Sequence, residues 1–524
     1  MTRGTTEEHT PELPTADMPG IARGGLLNLA GAGISAATGV LLTVVVTRAL
    51  SKDDAGIFFT LTSLFLLAET LACLGTGTGL VYFTARLRSL GRPELVRGFQ
   101  RVGMLPVLML SLAVAAGMAL AASALAGVVG DSSADVRTAV LVMAVLLPVA
   151  ALSDTVLAAT RGHAAMRPTV VLDKVGRPLV QLALVAMALV SGSVAVVAGA
   201  WVLPWLVTAV LAGRWLSRLQ RQLPASAQSS RRTWREFWLF TWPRAVNSLA
   251  QIALQRLDIV LITVLIGPAE AAVYTAATRF LVVGQLSSTA VSSAAQPRLA
   301  GLLAVDDRAS AGAVYRSATA WIVLLTWPVY LLCAVFADAV LSLFGAGYDA
   351  GRTVVLVLAG AMLVATACGM VDMLLNMAGR TTMTLVNSVV AVAVMVGLDL
   401  VLIPSLGILG AAIGWGAAIL VNNLLPLAQL MYLLRLHPFG RSTLTAAALA
   451  ATCFGLLPAA TRLLTGGDTT ASLTAIALGV AVYAAACLRW HARLGLPTLS
   501  SLRPRASRPS PAGIPDRVTT GGRP

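Results

Sequence analysis

Apolar runs of about twenty residues follow one another from Gly24 to Trp490, each closed by a short polar or turn-forming join. A helix of about twenty residues crosses a hydrocarbon layer about 30 Å thick. No water reaches the backbone there, so each run must pair its own N–H and C=O groups and coils into a helix. A transmembrane barrel needs alternating apolar and polar positions in short strands, a pattern the chain lacks. The runs predict an all-α integral membrane protein of fourteen helices, near 24–50, 54–80, 103–128, 137–160, 169–191, 192–216, 237–267, 270–296, 315–344, 353–378, 382–405, 408–435, 443–465 and 471–493. Ser51-Lys52-Asp53-Asp54, Gly267-Pro268, Pro404-Ser405 and Gly466-Gly467 mark joins. Residues 1–20 and 496–524 hold too few apolar residues for a core and read as disordered tails. No cleavable leader is evident, because the first apolar run is itself long enough to span.

Composition sharpens this picture. Of 524 residues, 57% are hydrophobic and 12% charged, with a mean hydropathy of +0.82. Soluble domains carry about 25% charged residues, so most of this chain has no water to face. The net charge of +15 suggests nucleic acid until its distribution is read. Arg86, Arg88, Arg92, Arg97 and Arg101 crowd one connection, and Arg214, Arg218, Arg221, Arg231, Arg232 and Arg235 another. With the first tail taken as cytoplasmic, most basic residues fall inside, and Arg48, Lys52, Arg137, Arg352 and Arg462 fall outside or at the outer edge. That bias puts both termini in the cytoplasm, with anionic lipid headgroups rather than nucleic acid beside the basic loops. The outer connections are too short to house a membrane-bound transferase active site. His9, His163, His437 and His491 lie in tails or connections, and no catalytic or phosphate-loop motif is present. Cys73, Cys333, Cys368, Cys453 and Cys487 lie in apolar runs without metal spacing and read as small buried hydrophobes. No cofactor, metal or catalytic residue is implied.

The second half echoes the first. Ala55-Gly56-Ile57-Phe58-Phe59 aligns with Ala271-Ala272-Val273-Tyr274-Thr275 at an offset of 216, Gly162 and Met166 with Gly379 and Met383 at 217, and Gly192 and Gly199 with Gly407 and Gly414 at 215. A repeat of six helices keeps both copies in one orientation, so the halves should be related by a pseudo-twofold axis along the membrane normal. The expected organisation is a tail (1–20), a six-helix lobe (21–216), a cytoplasmic linker (217–236), a second six-helix lobe (237–436), an appended helix pair (437–495) and a tail (496–524).

Candidate chemistry sits on the seventh and eighth helices. Arg244, Asn247, Ser248, Gln251, Gln255 and Asp258 recur at three- and four-residue spacing and form one polar stripe, with Arg256 about 120° from its centre. Thr278, Arg279, Gln285, Thr289, Ser292 and Gln296 stripe the eighth helix. The first half repeats this more faintly: Asn28, Gly31, Ser35 and Thr38 share a face of the first helix, and Glu69 aligns with Gln285. Polar groups within a span face protein or water. These either hydrogen-bond between helices or line a cavity; the interior charges Arg256 and Arg279 favour the cavity. Arg244 is near enough to the inner edge to snorkel. Glu69 is either protonatable or half of a structural ion pair. Asp154 and Asp372 are expected to pair with Arg161 and Arg380, while Asp173, Lys174 and Arg177 make the inner end of the fifth helix amphipathic.

Over residues 21–495 the chain resembles the multidrug/oligosaccharidyl-lipid/polysaccharide exporter superfamily, and within it the polysaccharide-biosynthesis, O-antigen-type flippases. The resemblance rests on Thr47-Arg48-Ala49-Leu50 with Ala55-Gly56-Ile57-Phe58, on Leu74-Gly75, on the Arg-rich second connection, on Arg161-Gly162-His163, and on Gly407-Ile408-Leu409-Gly410-Ala411-Ala412. It implies alternating-access flipping of an undecaprenyl-diphosphate-linked glycan, driven by H⁺ or Na⁺ where coupled, beside glycan polymerase or glycosyltransferases. On this reading Arg244, Arg256 and Arg279 meet the diphosphate, Gln251, Gln255, Gln285, Asn28 and Ser35 complete the cavity, and Glu69 or Asp258 couples an ion. A cation-exporting multidrug antiporter should line its cavity with acids, whereas here arginines outnumber Asp258. A lipid II flippase is the second alternative, although the first helix lacks the interior arginine expected of it. A scaffold for glycan assembly is the third.

Overall fold

The computed structural model describes residues 18–130, 133–224, 231–466, 468–491 and 493–494, with side chains from residue 27 onward and omitting those of 231 and 232. The expected disordered tails, apart from 18–20, and the middle of the expected linker lie outside the described residues. All regular elements among the described residues are helical. Thirteen are long and apolar enough to cross a membrane: α1 (Leu27–Ala49), α2 (Lys52–Ser89), α3 (Pro93–Leu120), α4 (Ala134–Gly162), α5 (Thr169–Ser191), α6 (Val194–Arg221), α7 (Thr233–Ile266), α9 (Arg308–Val335), α10 (Asp349–Met377), α11 (Thr381–Leu406), α12 (Ile408–Leu433), α13 (Arg441–Thr465) and α14 (Thr469–Arg489). The chain is a multi-pass membrane protein.

The eighth segment departs from the expected single span over 270–296. It is two helices, α8a (Pro268–Ala277) and α8b (Phe280–Ala304), parted at Thr278-Arg279. The second is too polar to count with the thirteen, since Gln285, Ser287, Ser288, Thr289, Ser292, Ser293, Gln296 and Arg298 interrupt its apolar sequence. Two spans are also broken internally. In α2, Leu74 and Gly75 adopt φ of 50° and 65°. In α10, Gly369 adopts φ 73° between Cys368 and Val371.

One end of the bundle gathers the basic connections. Arg86 pairs with Glu236 at 3.1 Å, and Arg97 donates to the carbonyls of Gln220 and Leu223. The Gln100 amide hydrogen-bonds Gln220 at 2.7 Å and His163 at 3.2 Å. Burial and the neighbouring Arg88 push His163 down to about 4, so its ring is neutral at physiological pH.

At the opposite end the early and late helices are tied together. Arg48 donates to the carbonyls of Leu343 (2.7 Å) and Ser342 (3.3 Å), and Lys52 to that of Gly347 (3.0 Å). The buried hydroxyls of Thr60 in α2 and Thr263 in α7 lie 2.5 Å apart. Gly56 packs so closely on α8a that a Cβ there would overlap the Pro268 carbonyl. That contact is backbone against helix and cannot yield by rotating a side chain. Gly56→Ala is expected to cost about 1–3 kcal/mol of stability through overpacking, read as a lower unfolding temperature of the purified protein than for Gly33→Ala, where a Cβ meets nothing within 4 Å.

Candidate functional site

Three neighbouring voids, related by shared lining residues, lie between the ties and the basic end. The central one, about 580 Å³, runs from Val40 and Val282 down α1 and α8b to Asn28 and Ser293. The faces that α1 and α8b turn to it carry Asn28, Ser35, Gln285 and Thr289, and three cations enter it: Lys174 from α5, Arg256 from α7 and Arg279 from the break between α8a and α8b. A side chamber of about 230 Å³ among the early helices shares Ser35, Gly39, Arg256 and Arg279 with it and adds Gln181, Arg177 and Trp205. A second, of about 460 Å³ among α7 to α12, shares Gln285 and Thr289.

The cations differ in how they are held. Arg177 is engaged: it pairs with Asp173 at 2.5 Å and Asp154 at 3.3 Å, with its guanidinium 4.5 Å from the centre of the Trp205 ring. Arg279 donates from Nε to the Thr275 carbonyl at 3.0 Å, occupying one of the carbonyls that the helix break releases. Among the described residues, neither Arg256 nor Arg279 has a carboxylate within 4 Å. Two guanidinium groups thus border the void with no carboxylate in direct ion-pair contact, Asp258 being the acid that lies near both, an arrangement suited to an anionic cargo.

Of the remaining residues picked out from the sequence, Gln251 and Gln255 line the second chamber, and Gln251 also donates to Ser388 at 3.1 Å. Arg244 does not reach any of the three voids. Its guanidinium lies 3.6 Å from the centre of the Phe240 ring and donates to the Phe240 carbonyl at 2.5 Å, while its backbone abuts the turn at Gly75. Its place is the α2–α7 seam at the basic end, which corrects the expectation of a cavity arginine. Glu69 also stands apart, in a crevice of about 210 Å³ with Asp154, Arg161 and Ser248, where it accepts from the Cys73 thiol at 2.9 Å. Asp258 is buried, accepting from the Tyr274 hydroxyl (2.5 Å) and the Ile259 N–H (2.8 Å).

The expected helix-end pairs are not formed. Asp154 pairs with Arg177 instead of Arg161, and Asp372 has no cation within 4 Å among the described residues; it lines the second chamber beside Asn422 and Asn423. The Asn422-Asn423 pair, set in the apolar run of α12, was the readable signal for that wall. Asp399 of α11 also escaped the sequence reading; it is fully buried against Gly414, with both carboxyl oxygens lacking a partner.

The profile of a family described as polysaccharide biosynthesis protein matches residues 21–303, just over half of the chain. No curated protein matches it. Among solved structures, the chain is similar to the lipid II flippase MurJ in an inward closed conformation, at a TM-score of 0.70 and 12% identity over 89% of this chain and 99% of that one. It is similar to an inward-facing multidrug resistance transporter of the MATE family in the MOP superfamily, at 0.63 and 15% identity over 78% and 99%. A MOP superfamily transporter from Pyrococcus furiosus, described as having a binding pocket of reversed polarity, matches at 0.55 and 16% identity over 79% and 96%. At these identities the likeness establishes a shared fold.

Proposed function

The chain belongs to the polysaccharide biosynthesis protein family, and from that premise we propose that it is a flippase moving a lipid-diphosphate-linked oligosaccharide from the inner to the outer leaflet of a bacterial cytoplasmic membrane. Family and fold are those of membrane transporters and flippases. The finer reading is supported by one observation: Arg256 and Arg279, with no carboxylate within 4 Å among the described residues, border a central void that extends toward the basic end. Placing the basic end in the cytoplasm makes this arrangement inward-facing. The diphosphate then enters between α1 and α8b and settles on the two guanidinium groups, which match phosphate oxygens in charge and fork geometry.

In the mechanism two six-helix halves rock about a fixed cargo site. The contacts of Arg48, Lys52, Gly56 and Thr60 with residues 263–268 and 342–347 break as the outer side opens. Asp258 and Glu69 supply acids for coupling to a proton or sodium ion, and neither occupies the cationic void. This polarity disfavours a cation-exporting multidrug function; lipid II, itself a lipid diphosphate, remains the nearest alternative cargo. The direct test places purified protein in liposomes carrying fluorescent undecaprenyl-diphosphate-linked sugars and follows quenching from outside. Flipping well above that of empty liposomes is expected. A rate equal to theirs, alongside export of cationic dyes, would replace this function with drug transport.

A further inference from the structure

The neighbouring voids differ in character. Arg256, Arg279 and Lys174 border the central one, whereas the wall of the chamber among α7 to α12 carries a single charge, Asp372, amid glutamines, asparagines and hydroxyls. The amides and hydroxyls of that wall offer hydrogen-bond donors and acceptors together, the mixture that sugar hydroxyls require. What the chamber lacks is a cation. A sugar ring supplies several hydroxyl donors and an apolar face, and Trp415 offers an indole on the same wall. Asp372 stands at this wall with no cation within 4 Å among the described residues, and no lining residue brings a positive charge to neutralise it.

From this asymmetry we propose that the chamber receives the sugar next to the diphosphate and rejects acidic sugars, with Asp372 as the residue that sets this specificity; the proposal rests on the flippase reading above. A carboxylate on that sugar would lie beside Asp372 in a space without a cation, whereas a neutral sugar exchanges hydrogen bonds with the amides and hydroxyls of the wall, Asn422 among them. The diphosphate stays on Arg256 and Arg279, so one cargo satisfies both signs of the void.

The test measures binding to the purified full-length protein of three probes: undecaprenyl diphosphate bare, carrying glucose, and carrying glucuronic acid, the last two differing only at C6. The unaltered protein should bind the glucose form at least about tenfold more tightly than the glucuronic form, the scale of one close like-charge contact. Asp372→Asn should reduce that ratio below about threefold while changing affinity for the bare lipid less than about twofold, which also shows that the variant folds. Asn422→Ala, which leaves the charge, should weaken the glucose form yet retain the ratio. Equal affinities in the unaltered protein, or a ratio that survives Asp372→Asn, overturn the proposal. Failure of the unaltered protein to bind even the bare lipid overturns the flippase reading, and this inference with it.

Discussion

Replacing Arg256 or Arg279 with alanine is expected to abolish flipping while leaving the protein in the membrane. Each guanidinium borders the central void without a carboxylate within 4 Å among the described residues, Asp258 lying farther off. An anion entering the void therefore meets guanidinium edges that no ion pair occupies. Truncating one partner of a desolvated, hydrogen-bonded charge pair costs about 2–5 kcal/mol, or roughly 30- to several thousand-fold in affinity. Lysine at either position keeps the charge but loses the planar fork, so Arg256→Lys and Arg279→Lys should fall between the parent and alanine. Arg244→Ala serves as the contrast. It removes a cation from the same helix but from the seam outside the void, and should leave cargo affinity within about twofold, the ordinary consequence of a change away from the site. The measurement is initial flipping rate and lipid-diphosphate affinity across the five variants. Full activity in both alanine variants would remove the anion site.

A cross-link between α2 and α7 is expected to stop transport reversibly. Thr60 and Thr263 face each other with hydroxyl oxygens 2.5 Å apart, close enough for cysteines at both positions to form a disulfide. In a background with the five native cysteines replaced, Thr60→Cys with Thr263→Cys should flip normally when reduced. It should fall below about a tenth of that rate when oxidised and recover with reductant. Rocking requires this contact to open once per cycle, whereas a scaffold has no such need. Unimpaired flipping in fully oxidised protein would show that the contact is static.

Much of the architecture was legible because lipid leaves the backbone so few options: the apolar runs could hardly be anything but helices, and their ends fell near the turn residues. The polar stripe of α7 was also readable, including the offset of Arg256 from its centre. Its meaning emerges only in three dimensions. Gln251 and Gln255 face the chamber among the later helices, and Arg256, turned away from them, faces the central void and the early helices. Periodicity reports which residues share a face, but not what stands opposite. Arg244 fitted the stripe and yet stacks on Phe240, since a long side chain can turn back along its own helix. Asp372 was expected beside Arg380 on sequence proximity, but the helical segment that carries it ends at Met377 and the left-handed Gly379 turns the chain before Arg380. Glycines in this chain are too frequent for one alone to announce a break.

The interruption at Thr278-Arg279 has a mechanical consequence. On one side of it, α8a is braced against Gly56 of α2; on the other, α8b forms a wall of the void, and Arg279 stands at the joint itself. In the proposed mechanism a diphosphate seated on that guanidinium would sit where the two helices meet, so binding and any change in the angle between them would share one joint.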